Sequence, residues 1–383
     1  MGTKDTGSPL RIGLNLLHAL PEIGGGWNYI ANLVNALAEG DTDNRYVAFV
    51  TKTSECLVPR RSNFETVMVN LRAESRPARI LYENTVLQLL VRQKELDCLH
   101  WFSSNQAVLN SVPGVVTVYD LLAFLDSASF PVFKRTYVRV MQSMTIRQAS
   151  LLLPISQATA DALHEKLGAE PSRMVVIPVM LKDDFRPTPA AEVEAFRLKY
   201  RLPQDFWLYV AQSYPHKNHL RLLRAYHGLK TEGFSVWPLV LRSDLQQGRD
   251  EILRTIDELN LQSDIIFLPR LTDQEMPCLY SCASGIIFPS LYEGCGIPVV
   301  EAMACGCPVA ASSIPAVEEF AGDAAIYFDP TDLEGIKGAM RRLQIDRQLC
   351  EEVRGLGLRR AEQFRAAPIV QKLVAGYRRA ARR

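Results

Sequence analysis

Short apolar runs rich in Val, Ile, Leu and Phe alternate along this chain with stretches whose apolar residues recur every three or four positions. The short runs read as strands buried on both faces, and the longer stretches as amphipathic helices. In the first half the pattern predicts strands at Leu10–Asn15, Tyr46–Thr51, Thr66–Asn70, Cys98–Phe102, Val115–Tyr119, Leu151–Ile155 and Met174–Ile177. Helical periods fall at Trp27–Ala38, Ala78–Lys94, Val132–Gln148 and Gln157–Leu167. Lys182 to Pro189 carries proline and charge without an apolar period, so it reads as a linker. Beyond it strands are predicted at Trp207–Ala211, Pro238–Arg242, Ile265–Leu268, Gly285–Pro289, Pro308–Ala311 and Ala325–Phe328. Helices are predicted at Asn218–Lys230, Asp250–Leu259, Gln274–Cys282, Pro298–Cys305 and Leu333–Leu343. The last stretch, Arg347 to Arg383, reads as helical with a break near Pro368. This alternation predicts an α/β chain of two doubly wound parallel domains. Such sheets bind ligands at the carboxyl ends of their strands, so a cleft between the domains is the expected site.

Composition agrees and removes other classes. The 383 residues are 48% hydrophobic and 22% charged, as in globular proteins, which excludes a disordered, collagen-like or coiled-coil chain. No window approaches 18 consecutive apolar residues, and the polar opening MGTKDTGSP is followed by no signal-like apolar region. A cytoplasmic protein is the expectation, peripheral at most at the inner face of a membrane. The eight cysteines form no CxxC pair and no zinc-type spacing, so they are expected as reduced thiols. No metal site is expected. The six histidines show no metal spacing either, and His216 stands out only by lying beside Lys217.

The formal net charge of +1 argues against a nucleic-acid coat but hides an asymmetry. Arg354 to Arg383 holds nine Lys or Arg against the single acid Glu362, a net +8, which leaves −7 for residues 1–353. A second basic stretch, Lys134, Arg135, Arg139 and Arg147, falls on the helix predicted at Val132–Gln148, with no acid between Asp126 and Asp161. A basic C-terminal end could face phosphate or a membrane surface. A solvated helix face with a frayed tail explains both basic stretches equally.

The most informative segment for chemistry runs from Phe288 to Pro308, FPSLYEGCGIPVVEAMACGCP. A strand ends at Pro289, a loop carries Gly294 and Gly296, and Pro298 suits the first turn of a helix that stops near Gly306. Backbone N–H groups at such a start attract anions. Glu293 and Glu301 flank it, which suits a ligand offering both phosphate and hydroxyl groups, such as a sugar nucleotide. A helix with acids in its first turn, favoured by the dipole alone, accounts for the same residues.

This segment resembles the Glu-x7-Glu motif of retaining glycosyltransferases of family 4, over about twenty positions. Cys295 stands where an aromatic residue is usual and Ile297 where Leu is usual. Other stretches resemble the family in the expected order. Gly24-Gly-Gly-Trp-Asn-Tyr29 is like its Gly-Gly loop, and Val116-Thr-Val-Tyr-Asp-Leu-Leu122 is like its His-Asp-Leu strand end with Tyr119 in place of His. Tyr214-Pro-His-Lys-Asn218 is like its Lys-Asn turn, with Gln212 where relatives carry Arg. Ser313 to Pro330 resembles the family's Pro-Glu-Val and Phe-Asp-Pro scaffold.

The resemblance implies the GT-B fold, two Rossmann-like domains across a cleft. It places an acceptor-binding domain at 1–182, a nucleotide-sugar-binding domain at 190–365, and a C-terminal helix, 366–383, crossing back to the first domain, which would set the basic C-terminal segment partly beside the Val132–Gln148 helix as a surface for an anionic bilayer or a lipid-diphosphate acceptor. It implies transfer of a mannose-, rhamnose- or glucose-class sugar from a nucleoside-diphosphate sugar to a glycan or lipid-linked acceptor, with retention, in surface polysaccharide synthesis. No cofactor is implied; the sugar nucleotide is a substrate. Lys217 would meet the leaving diphosphate, aided by N–H groups around Gly296 and Ile297 and by Gly25 and Gly26. Glu293 would hold the donor sugar and Glu301 the ribose. Asp120 and Tyr119 would lie near the transferred sugar. Gln212, His216, Arg242, Arg270, Leu271, Gly294, Cys295 and Val300 complete the expected donor site, and Asn218 would cap the next helix. The rival readings are a sugar-nucleotide epimerase of the same fold and a two-lobed solute-binding protein.

Overall fold

The structure, a computed structural model, describes residues 8–21, 25–72, 74–125, 132–243 and 248–382. The chain divides into two compact units, Met1–Met180 with Arg365–Arg383, and Leu181–Phe364.

The first unit is built on six parallel strands: β1 (Arg11–Asn15), β2 (Arg45–Val50), β3 (Phe64–Met68), β4 (Cys98–Trp101), β5 (Gly114–Val118) and β6 (Leu151–Pro154), in the order β3-β2-β1-β4-β5-β6. Its helices are α1 (Gly25–Gly40), α2 (Arg76–Asn84), α3 (Val86–Gln93), α4 (Leu122–Leu125), α5 (Val132–Gln148) and α6 (Gln157–Leu167). Strands β4, β5 and β6 are buried at every position, as a sheet covered on both faces requires. Val47, Phe49, Leu99, Trp101, Val116 and Leu152 form its core with Leu87 and Val91 of α3 and Leu163 of α6.

The second unit repeats the plan: β7 (Trp207–Val210), β8 (Leu239–Arg242), β9 (Ile265–Leu268), β10 (Gly285–Phe288), β11 (Val309–Ser312) and β12 (Ile326–Phe328), all parallel, in the order β12-β11-β10-β7-β8-β9. Its helices are α7 (Ala190–Tyr200), α8 (His219–Thr231), α9 (Arg249–Glu258), α10 (Met276–Cys282), α11 (Ile297–Ala304), α12 (Pro315–Ala321), α13 (Leu333–Ile345) and α14 (Arg347–Ala361). α15 (Ala366–Ala381) belongs to the first unit and packs on α1, β4 and β5.

Five local expectations need correction. Met174–Ile177 is no strand; only Met174 bridges to Leu152. Val175 and Ile177 donate to the Leu152 and Pro154 carbonyls, but Pro154 has no N–H with which to continue the ladder. The helix expected over Ala78–Lys94 is two helices, broken at Thr85, whose hydroxyl bonds back to the Leu81 carbonyl at 2.7 Å. α7 and α12 arise where the apolar spacing predicts no helix; each has Pro at or beside its start, which presets the first turn. The C-terminal break lies at 362–365, and Pro368 sits inside the first turn of α15, where its missing N–H costs little.

The fifth concerns charge. Arg354, Arg359 and Arg360 lie on α14 in the second unit, while Arg365, Lys372, Arg378, Arg379 and Arg382 belong to the first. The basic segment is therefore divided, and α15 packs chiefly on α1 instead of running beside α5. Arg360 donates to the Glu319 and Phe320 carbonyls and Arg379 to the Met174 carbonyl, so part of this charge holds the fold together. α15 is anchored by Tyr377, fully buried, whose hydroxyl pairs with His100 Nδ1 at 2.7 Å while Nε2 pairs with Thr117 at 2.8 Å.

Candidate functional site

In the second sheet the strand order reverses between β7 and β10, so the loops leaving their carboxyl ends diverge and open a crevice. The β7 loop ends in the short turn Pro215–Lys217, and the β10 loop runs from Pro289 to Gly296. Lys217 Nζ donates to Glu293 Oε1 at 2.6 Å, with side-chain exposures of 19% and 10%. The two residues that the resemblance assigns to diphosphate and sugar are thus one half-buried ion pair.

Asn218 fixes this geometry. Its φ of +63° lies in the left-handed region that Asn tolerates better than most residues. Its side chain does not cap α8, contrary to expectation. Instead Nδ2 donates to the Pro289 carbonyl at 2.9 Å and the Pro330 carbonyl at 2.8 Å, and Oδ1 accepts from Arg221 at 2.8 Å. The left-handed backbone turns the amide away from the helix N–H groups and toward the two loop ends. On the other side of Lys217, the His216 carbonyl accepts from Leu291 N at 2.7 Å. The Tyr209 hydroxyl donates to the Lys217 carbonyl. The Lys217 and Glu293 loops are therefore cross-linked on both flanks of the pair. The His216 imidazole stacks nearly parallel on Tyr214, at 5.8 Å and 7°.

Gly296 caps α11 with φ +76°, a conformation that requires glycine. A Cβ there would meet its nearest neighbour, Val317, only at 3.4 Å, so backbone conformation and not space fixes the residue. Gly294 leads into this turn; the Ile297 N–H meets the Cys295 thiol, Pro298 has no N–H, and Val299 N donates to the Gly296 carbonyl at 2.9 Å, so α11 offers an anion mainly its dipole. Cys295 and Val300 are 5% and 1% exposed and pack inward; burial pushes the Cys295 thiol up, which keeps it a neutral hydrophobe.

Glu301 accepts from the Tyr280 hydroxyl at 2.8 Å. Burial of its carboxyl pushes the pKa up to about 7; the Tyr280 bond, Lys182 and Arg242 oppose the shift, and Asp273 adds to it. Arg242, half-buried at the end of β8, thus lies within electrostatic reach of Glu301. Lys182 itself pairs with Asp273 at 2.6 Å. Gln212 is half-buried after β7, Arg270 is exposed after β9, and Leu271 is buried. Sequence reasoning missed Tyr280 and the Lys182–Asp273 pair, which belong to no motif and meet Glu301 only through the fold.

The first unit has its own reversal, between β1 and β4. Gly25 and Gly26 open α1, with Gly25 exposed; Gly24 lies outside the described residues. Tyr119 follows β5, and its ring meets Tyr29 edge-on at 5.4 Å. Its hydroxyl oxygen is buried without a hydrogen-bond partner among the described residues, and burial raises its pKa well above the ordinary tyrosine value. Asp120 Oδ1 accepts from Leu122 N at 2.9 Å, at the start of α4. Burial also pulls His18 and His100 down to about 3 and His219 to about 4, so these rings are neutral near pH 7. Among the described residues no cluster of His, Cys, Asp or Glu is arranged to hold a metal.

Two six-stranded parallel sheets, each reversing its order once, define the glycosyltransferase-B class of fold. A solved structure of sucrose-phosphate synthase from Thermosynechococcus elongatus superposes with a TM-score of 0.78 over 96% of this chain and 98% of that one, at 20% identity. The family description "Glycosyltransferase Family 4" matches residues 23–181, and "Glycosyl transferases group 1" matches residues 192–355. The chain belongs to this family of glycosyltransferases. It is 30% identical over 252 residues to the O-antigen chain mannosyltransferase B of Escherichia coli, covering 65% of this chain and 66% of that protein. It is 29% identical over 272 residues to a serotype-specific mannosyltransferase, WbdA, of Escherichia coli, covering 69% of this chain and 33% of that protein. The match thus spans about two thirds of the first relative's length and about one third of the second's.

Proposed function

We propose that the protein transfers a hexose, with mannose first among the mannose, rhamnose and glucose class, from a nucleoside-diphosphate sugar to a glycan or lipid-linked acceptor in surface polysaccharide synthesis. The Lys217–Glu293 pair at the β7/β10 reversal, one turn from the N-terminus of α11, carries this reading. A diphosphate competes with Glu293 for the Lys217 ammonium. When it wins, it gains a point charge and the N–H groups around Gly296 and Ile297, and it frees the Glu293 carboxylate to accept from sugar hydroxyls. Glu301, on the next turn of α11, accepts from ribose hydroxyls. The names of the two mannosyltransferase relatives support the choice of sugar.

Departure of the diphosphate builds negative charge on its oxygens, and fixed cationic and N–H donors stabilise that charge without rearranging. The acceptor hydroxyl then attacks from the face the diphosphate leaves, and its proton passes to a leaving phosphate oxygen. The anomeric configuration is kept, and neither a protein nucleophile nor a divalent metal takes part. The reaction runs on the cytoplasmic side, with the protein peripheral at the membrane that holds a lipid-linked acceptor.

The decisive assay incubates GDP-mannose and a mannose-bearing acceptor in excess chelator and follows nucleoside diphosphate release and product stereochemistry by NMR. Turnover with an α-linked product is expected. A β-linked product overturns retention, loss of turnover restored by magnesium overturns metal independence, and a free epimer formed without acceptor overturns transfer.

A further inference from the structure

α3 is apolar on both sides. Leu87 and Val91 fill the first unit's core, yet Val86 and Leu89 face outward with 43% and 66% of their surface exposed. Leu81 of α2 is 67% exposed, and Leu109, in the loop after β4, is 76% exposed. These side chains are neighbours: Val108 N donates to Asn84 Oδ1 and Ser111 N to Gln88 Oε1, both at 2.8 Å, which lays the loop across the α2–α3 break. On α5, Phe133 and Val140 are also exposed, seven positions apart and so on one face. α5 adjoins α2, because the Arg76 guanidinium lies 4.9 Å over the Tyr137 ring. Exposed apolar side chains gathered in this way mark an interaction site.

The charge bordering this surface says what covers it. Between Arg76 and Lys94 the only acid is Glu83, which is buried and accepts from Asn15. Residues 98–119 contain no Asp, Glu, Lys or Arg, and residues 132–148 contain four cations and no acid. The exposed acids nearest in sequence, Glu74 and Glu95, lie beyond the ends of the α2–α3 segment. Exposed Arg76 and Arg92 flank the leucines. A second copy docked across a two-fold axis would set these arginines against each other. An anionic bilayer satisfies both features, with leucines entering the acyl boundary and arginines meeting lipid phosphates.

We propose that the α2–α3 segment, the loop carrying Leu109 and the adjoining face of α5 form the surface by which this protein docks on an anionic bilayer. The inference rests on the peripheral location proposed above and moves its seat away from the C-terminal basic segment. The test floats the full chain with vesicles of phosphatidylcholine and phosphatidylglycerol, and with phosphatidylcholine alone. Wild type is expected to float with the mixed vesicles and to be released as salt rises. Leu81→Ser/Leu89→Ser/Leu109→Ser should lower partitioning at least about tenfold with an unchanged melting temperature. Arg76→Gln/Arg92→Gln should lose most of the preference for phosphatidylglycerol. If wild type does not float, the peripheral location and its surface both fall, while turnover on a water-soluble acceptor still judges the transferase reading. If the triple serine variant floats like wild type, only this surface falls. A concentration-dependent wild-type dimer that the serine variant abolishes would replace the bilayer with a second copy.

Discussion

The two sheets share one topology but finish their carboxyl edges differently. At the β7/β10 reversal the second unit holds a half-buried ion pair, an asparagine clamp on two loop ends, and a carboxyl bonded to a buried tyrosine. The charged groups Lys217, Glu293 and Glu301 there already have protein partners, while Ser243 Oγ and His219 Nε2 are buried without one among the described residues, so a charged ligand enters by exchanging bonds. In the first unit, the loop ends offer two glycines, an aspartate that starts α4, and a tyrosine hydroxyl buried without a partner among the described residues. The first edge is sparsely charged and partly unsatisfied. On the proposed transfer, leaving-group stabilisation, which needs preorganised charge, falls to the second unit. On the same proposal the first is free to vary with the acceptor.

The sharpest way to break this contrast is at Lys217. Lys217→Ala should lower kcat about 100- to 1000-fold, the range for losing one preorganised donor to a developing anion. A purely structural pair would give a different signature, because the loss would then come from stranding Glu293 as a half-buried charge. Lys217→Ala/Glu293→Ala separates the two. Recovery of turnover in the double variant would make the pair scaffold; continued loss, with melting restored, excludes a purely structural pair.

Glu301 gives a smaller effect with a definite sign. Its folded pKa of about 7 lies above the ordinary value of 4.5, so the folded protein holds a proton that the unfolded chain releases. Stability from this group is unaffected below about pH 4.5, declines as pH rises toward about 7, and levels off above it. The loss is on the order of 1–3 kcal/mol after allowing for partial exposure. If ribose hydroxyls donate to the ionised form, as proposed, donor affinity should rise through the same range. Glu301→Gln should melt higher than wild type above pH 7, bind donor about tenfold more weakly there, and show no pH dependence of affinity between about pH 6 and 8. Calorimetric titration of donor at several pH values checks this; a variant that keeps the wild-type slope assigns the titration to another group.

How much of this was legible in the sequence depends on which forces set each feature. Strand positions were readable because both faces of a parallel sheet are buried, which leaves uninterrupted apolar runs such as Leu151–Leu153 and Ile286–Phe288. The Phe288–Pro308 segment was readable because glycine and proline mark its turn and helix start. The Lys217–Glu293 contact was not, since 76 residues separate its partners and only the strand order brings them together. Asn218 misled for a local reason: the usual capping role assumes an extended backbone, and its φ is positive. The basic C-terminal block misled because sequence proximity says nothing about the boundary between units, which falls between Phe364 and Arg365. The exposed leucines of α2 and α3 were hidden in the same way, because apolar spacing cannot distinguish a core face from an uncovered one.

The smallest expected effect sits on the first unit's edge. Tyr119→Phe removes a hydroxyl that is buried without a hydrogen-bond partner among the described residues, so the fold should lose nothing and gain up to about 1 kcal/mol. The ring contact with Tyr29 survives the change. If that hydroxyl instead meets the transferred sugar when donor binds, kcat should fall about tenfold while the melting temperature holds or rises. Stability and turnover then move in opposite directions, which packing alone cannot produce. Unchanged kcat with raised stability would make Tyr119 a core residue only, and would place all of the sugar contacts reached by polar side chains on the second unit. A fall in both would mean that the hydroxyl is bonded in the resting protein, and the asymmetry between the two edges would be smaller than their geometry indicates.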